Sequence, residues 1–162
     1  LIVRDGVTLA SLLKGGGQER GARAGTENVA GIVGFGVAAE EARASRDLAP
    51  LRDRIEAALP EAVIFGAEGP RIPNTSCLAM PGVAAETQLM AFDLAGIMVS
   101  AGSACSSGKL ARSHVLAAMG VADDLADCAI RVSLGWNSTE ADVEAFIAAW
   151  RALYARTHRE AA

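Results

Sequence analysis

The sequence contains few aromatic, histidine and lysine residues, and these shortages exclude several kinds of site. Aromatic residues make up 4% of the 162 residues, and the only histidines are His114 and His158. No Ser/His/Asp arrangement for nucleophilic catalysis is visible. The net charge of −4, with no basic stripe and no aromatic platform for bases, argues against a nucleic-acid partner. No apolar run reaches the length of about 18 residues that a membrane-spanning helix needs.

Cysteine is also scarce, and its spacing excludes the common zinc motifs. Cys77, Cys105 and Cys128 form an odd, widely spaced set with no C-x-x-C pair and no neighbouring histidine cluster. We therefore predict no metal site, and we expect reduced thiols and a cytoplasmic location. Cys77 and Cys128 lie in or beside apolar strand-like segments, which favours a packing role for both.

Helical and strand-like patterns alternate along the chain, which predicts an α/β architecture. The first four residues resemble the end of a buried strand, and a glycine-rich loop follows over residues 6–25. Thr26 or Asn28 can cap a helix that ends near Ser45. The remaining predicted strands are 63–65, 75–80, 97–99 and 129–134, and the remaining predicted helices are 50–59, 84–94, 113–119 and 140–154.

Cys105 differs from the other two thiols because it lies in a run of glycine, serine and alanine, residues 100–108. Such a run is sterically open, so the sulfur can reach a partner and be reached. Taken alone, the segment is equally compatible with an exposed cysteine that has no role.

Two further segments contain residues suited to anion binding. Residues 15–26 combine glycines, arginines and a threonine, as in loops that hold phosphate through backbone N–H groups, although the order matches no standard phosphate-binding motif. A generic glycine loop is the alternative. Arg131 lies within an apolar strand-like segment and needs a partner, either a protein carboxylate or a substrate carboxylate.

Taken together, residues 15–28, 103–106 and 130–135 resemble the corresponding segments of cysteine desulfurases. Their order and spacing match over nearly the whole chain, and the cysteine loop is similar to that of the NifS/IscS-like group. The resemblance implies an α/β fold, that of the pyridoxal-phosphate (PLP)-dependent transferases. Within these it implies the aspartate aminotransferase-like type, class V. Residues 1–45 would then form the C-terminal end of the large PLP-binding domain with its dimer-interface loop. Residues 46–162 would form the small C-terminal domain that carries the cysteine loop.

The resemblance also implies roles for individual residues. Cys105 matches the nucleophile that accepts sulfur from L-cysteine as a persulfide, and L-alanine is the other product. Arg131 matches the residue that binds the substrate carboxylate. Thr26 matches the residue that contacts the phosphate of the partner subunit's pyridoxal 5′-phosphate. Gln18, Glu19 and Arg20 match the same interface loop without an individual role.

Further expectations follow from the same resemblance. The implied assembly is a cytoplasmic homodimer that passes sulfur to an acceptor such as an iron–sulfur scaffold or a thiolation protein. In the family, the lysine that binds pyridoxal phosphate follows a Ser-x-His pair. The sequence contains only Lys14 and Lys109, and neither follows such a pair. We therefore expect this chain to be a C-terminal fragment that is inactive by itself.

Other functions remain open at this point. A selenocysteine lyase or another class V aminotransferase would share the fold without needing Cys105. A non-catalytic persulfide carrier or interaction module would use Cys105 only to accept sulfur that another enzyme has released.

Overall fold

The computed structural model describes residues 3–43, 46–102 and 113–159, which divide into two compact units, Leu1–Ser45 and Arg46–Ala162. The described part of the first unit contains a short 3-10 helix at Gln18–Gly21 and one long helix, α1 (Val29–Arg43). The predicted cap of this helix is confirmed at Asn28, whose Oδ1 accepts a hydrogen bond from the backbone N–H of Gly31 at 3.1 Å. Residues 3 and 4 are not in a strand, and residues 1, 2, 44 and 45 lie outside the described residues.

Residues 29–39 of helix α1 are all apolar or glycine and cover its whole circumference, yet none of the helix's residues is buried. Phe35 is 77% exposed, and Val29, Ile32, Val33 and Val37 are each more than half exposed. A helix with apolar residues on every side is typical of the interior of a larger protein, because water solvates such a surface poorly.

The second unit combines an antiparallel sheet with five helices within its described residues. The strands are β1 (Val63–Phe65), β2 (Thr75–Ala79), β3 (Ser100–Ala101) and β4 (Ala129–Ser133), in the spatial order β1-β2-β4-β3. The helices are α2 (Ala49–Ala58), α3 (Ala85–Leu94), α4 (His114–Ala118), α5 (Asp123–Ala126) and α6 (Glu140–Arg159).

The main core lies between one face of this sheet and helices α2, α3 and α6. Residues Leu78, Ile130 and Val132 point to this face, since successive side chains of a strand alternate between the two faces. Helix α6 covers them with an apolar stripe at helical spacing, consisting of Val143, Phe146, Ile147, Trp150 and Leu153. These five residues are those that the sequence predicts to line one side of the helix.

A smaller cluster covers part of the opposite face. Leu116 of α4 and Ala126 of α5 pack with Ala129 of β4, and Phe65 and Cys77 border them. Helix α4 begins as predicted, because the Ser113 hydroxyl accepts a hydrogen bond from the backbone N–H of Leu116 at 3.3 Å. The second face of the sheet is therefore closed at this end by α4 and α5.

The strand predicted at 97–99 is wrong, and the hydrogen bonds at the end of α3 explain why. A strand was expected at 97–99, but β3 begins only at Ser100. Gly96 has a φ of 74°, and Ile97 donates its N–H to the Phe92 carbonyl at 2.9 Å. These features form a Schellman-type cap, so Ile97 still completes α3 and extended pairing starts later.

Helix α6 is also longer than the expected 140–154, because it continues to Arg159. The Thr157 hydroxyl donates to the Leu153 carbonyl at 3.0 Å, and the ring of His158 stacks on Tyr154 with ring centroids 3.9 Å apart. These contacts hold the last turn together despite its polar composition.

The predicted cap at the start of α6 is confirmed: Asp142 accepts hydrogen bonds from the backbone N–H and the hydroxyl of Thr139, both at 2.8 Å. These bonds, the backbone one first, lower the pKa of Asp142.

Glu56 of α2 links the helix to the sheet and to the loop before β2. Its carboxylate accepts two hydrogen bonds from Arg71, at 2.7 and 3.1 Å, and one from the Ser76 hydroxyl at 2.6 Å. Burial alone would raise the pKa of Glu56, but these hydrogen bonds and the charges of Arg71 and Arg52 outweigh it and lower the pKa. The ion pair is well shielded, with side-chain exposures of 20% for Arg71 and 14% for Glu56.

Glu56→Gln is expected to lower the free energy of unfolding by about 1–3 kcal/mol at neutral pH, because Arg71 loses its counter-charge in a shielded position. Glu144→Gln is the matched control, since the Arg54–Glu144 pair is about half exposed and should change stability by less than about 0.5 kcal/mol. Urea unfolding measures both values.

The same pair predicts a pH dependence of stability. Glu56 has a folded pKa below its ordinary value of 4.5, so its stabilisation is fully present above that value and is lost as the pH falls through the lower, folded pKa. The difference in unfolding free energy between the unsubstituted protein and Glu56→Gln should therefore shrink as the pH falls below about 4.5. A difference that stays constant down to about pH 3 would contradict this origin of the stabilisation.

Candidate functional site

A row of four side-chain positions crosses the second unit's sheet on the face opposite the main core. In the observed register Phe65 pairs with Cys77, Cys77 pairs with Arg131, and Arg131 pairs with Ser100. Directly paired residues of antiparallel strands share a face and have neighbouring side chains. Arg131 is therefore flanked by a thiol on one side and a hydroxyl on the other.

Arg131 is exposed, although it lies in an apolar strand as the sequence indicated. Side chains along its strand alternate between the two faces of the sheet, so the apolar neighbours Ile130 and Val132 point into the main core on the other face. Among the residues that the structure describes, no carboxylate lies within 4.0 Å of the guanidinium. Of the two partners considered above, a protein carboxylate is thus not found within the described ranges.

Cys77, the strand neighbour of Arg131, is only partly buried. Burial raises the pKa of the Cys77 thiol, and the positive charge of Arg131 opposes this rise without cancelling it. Cys77 is therefore protonated at neutral pH and is a weak nucleophile. Cys128 is buried, as its predicted packing role requires.

Cys105 itself lies outside the described residues, but both described ends of its segment border Arg131. Gly102 and Ser113 line one small cavity of about 60 Å³ together with Cys77, Arg131 and residues of the smaller apolar cluster. The chain between these two residues, 103–112, thus starts and ends at this cavity.

The first unit contains the other predicted site residue, Thr26. Its side chain is exposed, and within residues 3–43 and the other described ranges its hydroxyl makes no hydrogen bond. A free hydroxyl on a glycine-rich loop is a suitable donor to a phosphate oxygen. Gly25, the preceding residue, has a φ of 90°, a conformation that favours glycine.

Sequence reasoning missed two aspects of these sites. The pairing of Cys77 with Arg131 depends on the register of β2 against β4, which no local pattern in either strand reveals. The hydrogen bonds that Gln18 and Arg23 make around Thr26 were also missed, although the glycines at 15–17 and 25 indicated an unusual backbone there.

No described helix is both long and apolar enough to cross a membrane. Within the same ranges, no group of three or more His, Cys, Asp or Glu side chains is placed to hold a metal ion. His114 is exposed at the start of α4.

Comparison with known proteins places these features in a family. The family model described as "Aminotransferase class-V" matches residues 7–146. A cysteine desulfurase of Gluconacetobacter diazotrophicus is 48% identical over 153 residues, a match that covers 89% of this chain and 38% of that protein. A cysteine desulfurase of Cereibacter sphaeroides is 46% identical over 150 residues, covering 89% of this chain and 39% of that protein.

A solved structure is also similar. The NifS-like protein from Rickettsia africae superimposes with a TM-score of 0.74 at 35% identity, covering 91% of this chain and 41% of that one. The chain thus spans about two fifths of the length of the relatives it matches. With a family match over most of its length and cysteine desulfurases among its relatives, this chain belongs to the class-V aminotransferase family.

Proposed function

We propose that this chain is the C-terminal portion of a homodimeric cysteine desulfurase that converts L-cysteine to L-alanine and leaves the sulfur on Cys105 as a persulfide. The observation that carries this proposal is the position of Gly102 and Ser113. Both line the cavity beside Arg131, so the segment with the thiol begins and ends next to the guanidinium. A carboxylate-binding group and a nucleophile that belong to one reaction need this proximity.

Arg131 binds the substrate through its carboxylate. A guanidinium presents two parallel N–H donors that match the two oxygens of a carboxylate. Arg131 is open to such a ligand, since it makes no ion pair with any described carboxylate. This contact orients L-cysteine and leaves its sulfur free to approach the thiol.

Cys105 accepts the sulfur. Its thiolate forms a sulfur–sulfur bond with the substrate sulfur as the carbon–sulfur bond of L-cysteine breaks. The electron pair of the broken bond stays on the substrate carbon, which takes up a proton and becomes the methyl group of L-alanine. A free thiol with a pKa of about 8.5 is only a few per cent thiolate at neutral pH, but that fraction is strongly nucleophilic. The outer sulfur of the persulfide is then available to an acceptor, for which we propose an iron–sulfur scaffold or a thiolation protein.

The residues present fit one contact with pyridoxal phosphate. Thr26 carries a free hydroxyl on a glycine-rich loop, and we propose that it donates to the phosphate of the partner subunit's cofactor. When bound, pyridoxal phosphate supplies the electron sink for the bond changes at the substrate carbons. Lys14 and Lys109 do not follow a Ser-x-His pair, so we assign the covalent attachment of the cofactor to a lysine outside this chain.

We further propose that residues 1–45 belong to the large PLP-binding domain of an aspartate aminotransferase-like fold and that residues 46–162 form its small domain. The apolar surface of α1 supports this assignment, because a helix with this composition belongs inside a larger core. We propose a cytoplasmic location on the basis of unpaired thiols, since Cys77 and Cys128 are both free.

The proposed function is tested by mass spectrometry of the full-length protein after incubation with L-cysteine and pyridoxal phosphate. The peptide that contains Cys105 should gain about 32 Da, the mass of one sulfur atom, in step with the release of L-alanine. Release of alanine with no added mass on any cysteine would instead favour a lyase, and consumption of L-cysteine without alanine would favour another aminotransferase.

The 162-residue chain by itself is expected to release no L-alanine from L-cysteine, because it lacks the lysine assigned to the cofactor. Addition of pyridoxal phosphate should not change this result. Alanine production above the level given by free pyridoxal phosphate would show that Lys14 or Lys109 serves as the attachment residue.

A further inference from the structure

The side chain of Gln18 crosses the glycine-rich loop of the first unit and binds the backbone next to Thr26. Its Oε1 accepts a hydrogen bond from the Gly25 N–H at 3.2 Å, seven residues further along the chain. Gly16 makes room for this side chain, since a Cβ atom at that position would lie 2.4 Å from the same oxygen. The glycine at position 16 therefore serves the placement of Gln18.

Arg23 binds the other side of the same backbone segment. Its Nη1 donates to the Gly25 carbonyl at 3.2 Å and to the carbonyl of Thr26. The N–H and the carbonyl of Gly25 are thus both bound by side chains of the same loop. Because Gly25 has a φ of 90° and no Cβ to restrict it, these bonds select one conformation where many are accessible.

The neighbouring backbone shows that the loop has one specific shape. Glu19 and Arg20 have φ angles of 51° and 57°, in the left-handed region that non-glycine residues seldom adopt. The Ala24 N–H donates to the Leu13 carbonyl at 3.1 Å and closes the loop across its base. Two consecutive left-handed residues persist only where the surrounding contacts hold them, and the Gln18 hydrogen bond is one of these contacts.

We propose that Gln18 is a positioning residue, which fixes the hydroxyl of Thr26 for contact with the phosphate of the partner subunit's pyridoxal phosphate. This inference rests on the proposed function, since it requires Thr26 to meet that phosphate. The backbone angles of residues 25 and 26 set the direction of the Thr26 Cα–Cβ bond, and so the region that its hydroxyl can reach. A fixed donor binds a phosphate more tightly than one that must be ordered on binding.

Two substitutions separate the hydrogen bond from the size of the side chain. Gln18→Met keeps the length of the side chain and removes the acceptor, whereas Gln18→Glu keeps an acceptor oxygen at the same place. In the full-length protein, Gln18→Met should raise the dissociation constant of pyridoxal phosphate about threefold to tenfold. Gln18→Glu should restore part of the affinity, because it keeps the acceptor but adds a negative charge near the phosphate. Absorbance titration of the apoprotein measures these constants, and pyridoxal, which lacks the phosphate, should bind equally to all three proteins.

A double-mutant cycle with Thr26→Val tests whether Gln18 acts through Thr26. The valine has the shape of threonine without its hydroxyl, so Gln18→Met should have little further effect in its presence. Additive effects, an equal loss of affinity for pyridoxal, or a Gln18→Glu protein as weak as Gln18→Met would each overturn the inference. If Thr26→Val alone leaves the affinity unchanged, the role of Thr26 in the proposed function fails instead.

Discussion

Replacing Cys105 with serine is expected to lower the turnover of L-cysteine by the full-length protein at least about a thousandfold. A serine hydroxyl is not ionised at neutral pH, and its oxygen does not form a stable bond to the transferred sulfur. Binding of L-cysteine should change little, because the carboxylate contact is assigned to Arg131. Steady-state alanine release gives the turnover, and the perturbation of cofactor absorbance by L-cysteine gives the binding.

Cys77→Ser is the matched control for this variant. Cys77 lies opposite Arg131 and lines the same cavity, so it is the described thiol nearest to the proposed site. Its raised pKa makes it a poor nucleophile, and the added sulfur should therefore remain on Cys105 in the Cys77→Ser protein. Unchanged sulfur transfer by Cys105→Ser would reject the nucleophile role and favour a selenocysteine lyase or another class V aminotransferase. Persulfide on Cys77 would show that the sulfur acceptor was wrongly assigned.

The elements that the sequence predicted well are those specified by local chemistry. The apolar stripe of α6 needs only helical spacing, and the Thr139–Asp142 cap needs only the two side chains three positions apart. The extension of α6 beyond Tyr154 was missed because ring stacking by His158 and a hydrogen bond from Thr157 stabilise a segment that looks too polar. The short helix α5 was missed as well, since four residues carry too little periodicity to be recognised.

The candidate site was predictable only in part, because it depends on strand register. The sequence placed Arg131 on a strand, but only the pairing of β4 with both β2 and β3 shows that Cys77 and Ser100 flank it. A shift of one residue would have turned the guanidinium toward the main core. Similarly, the composition of the 15–26 loop was compatible with anion binding or with a generic glycine loop, whereas the hydrogen bond from Gly25 to Gln18 required the folded loop.

Arg131→Ala is expected to raise the KM for L-cysteine about 30-fold to 700-fold, which corresponds to about 2–4 kcal/mol for the loss of a charge-assisted carboxylate contact. Arg131→Lys keeps the positive charge but loses the paired N–H donors, so its KM should lie between those of the unsubstituted protein and Arg131→Ala. Both variants should fold normally, since Arg131 is exposed and makes no ion pair within the described residues. Arg156→Ala, which changes an exposed arginine of α6, is the control and should leave the KM unchanged.

Cysteamine, which is L-cysteine without its carboxylate, shows whether the arginine acts on that group. As a competing ligand it should bind weakly to the unsubstituted protein, and its inhibition constant should be the same for Arg131→Ala. The variant would then have lost its discrimination between the two compounds, because the removed interaction exists only with the carboxylate. An equal weakening of cysteamine and L-cysteine would show that Arg131 shapes the site without binding the carboxylate. Since the cavity next to Arg131 is bordered by both ends of the cysteine segment, that outcome would assign the guanidinium to holding Gly102 and Ser113 in place.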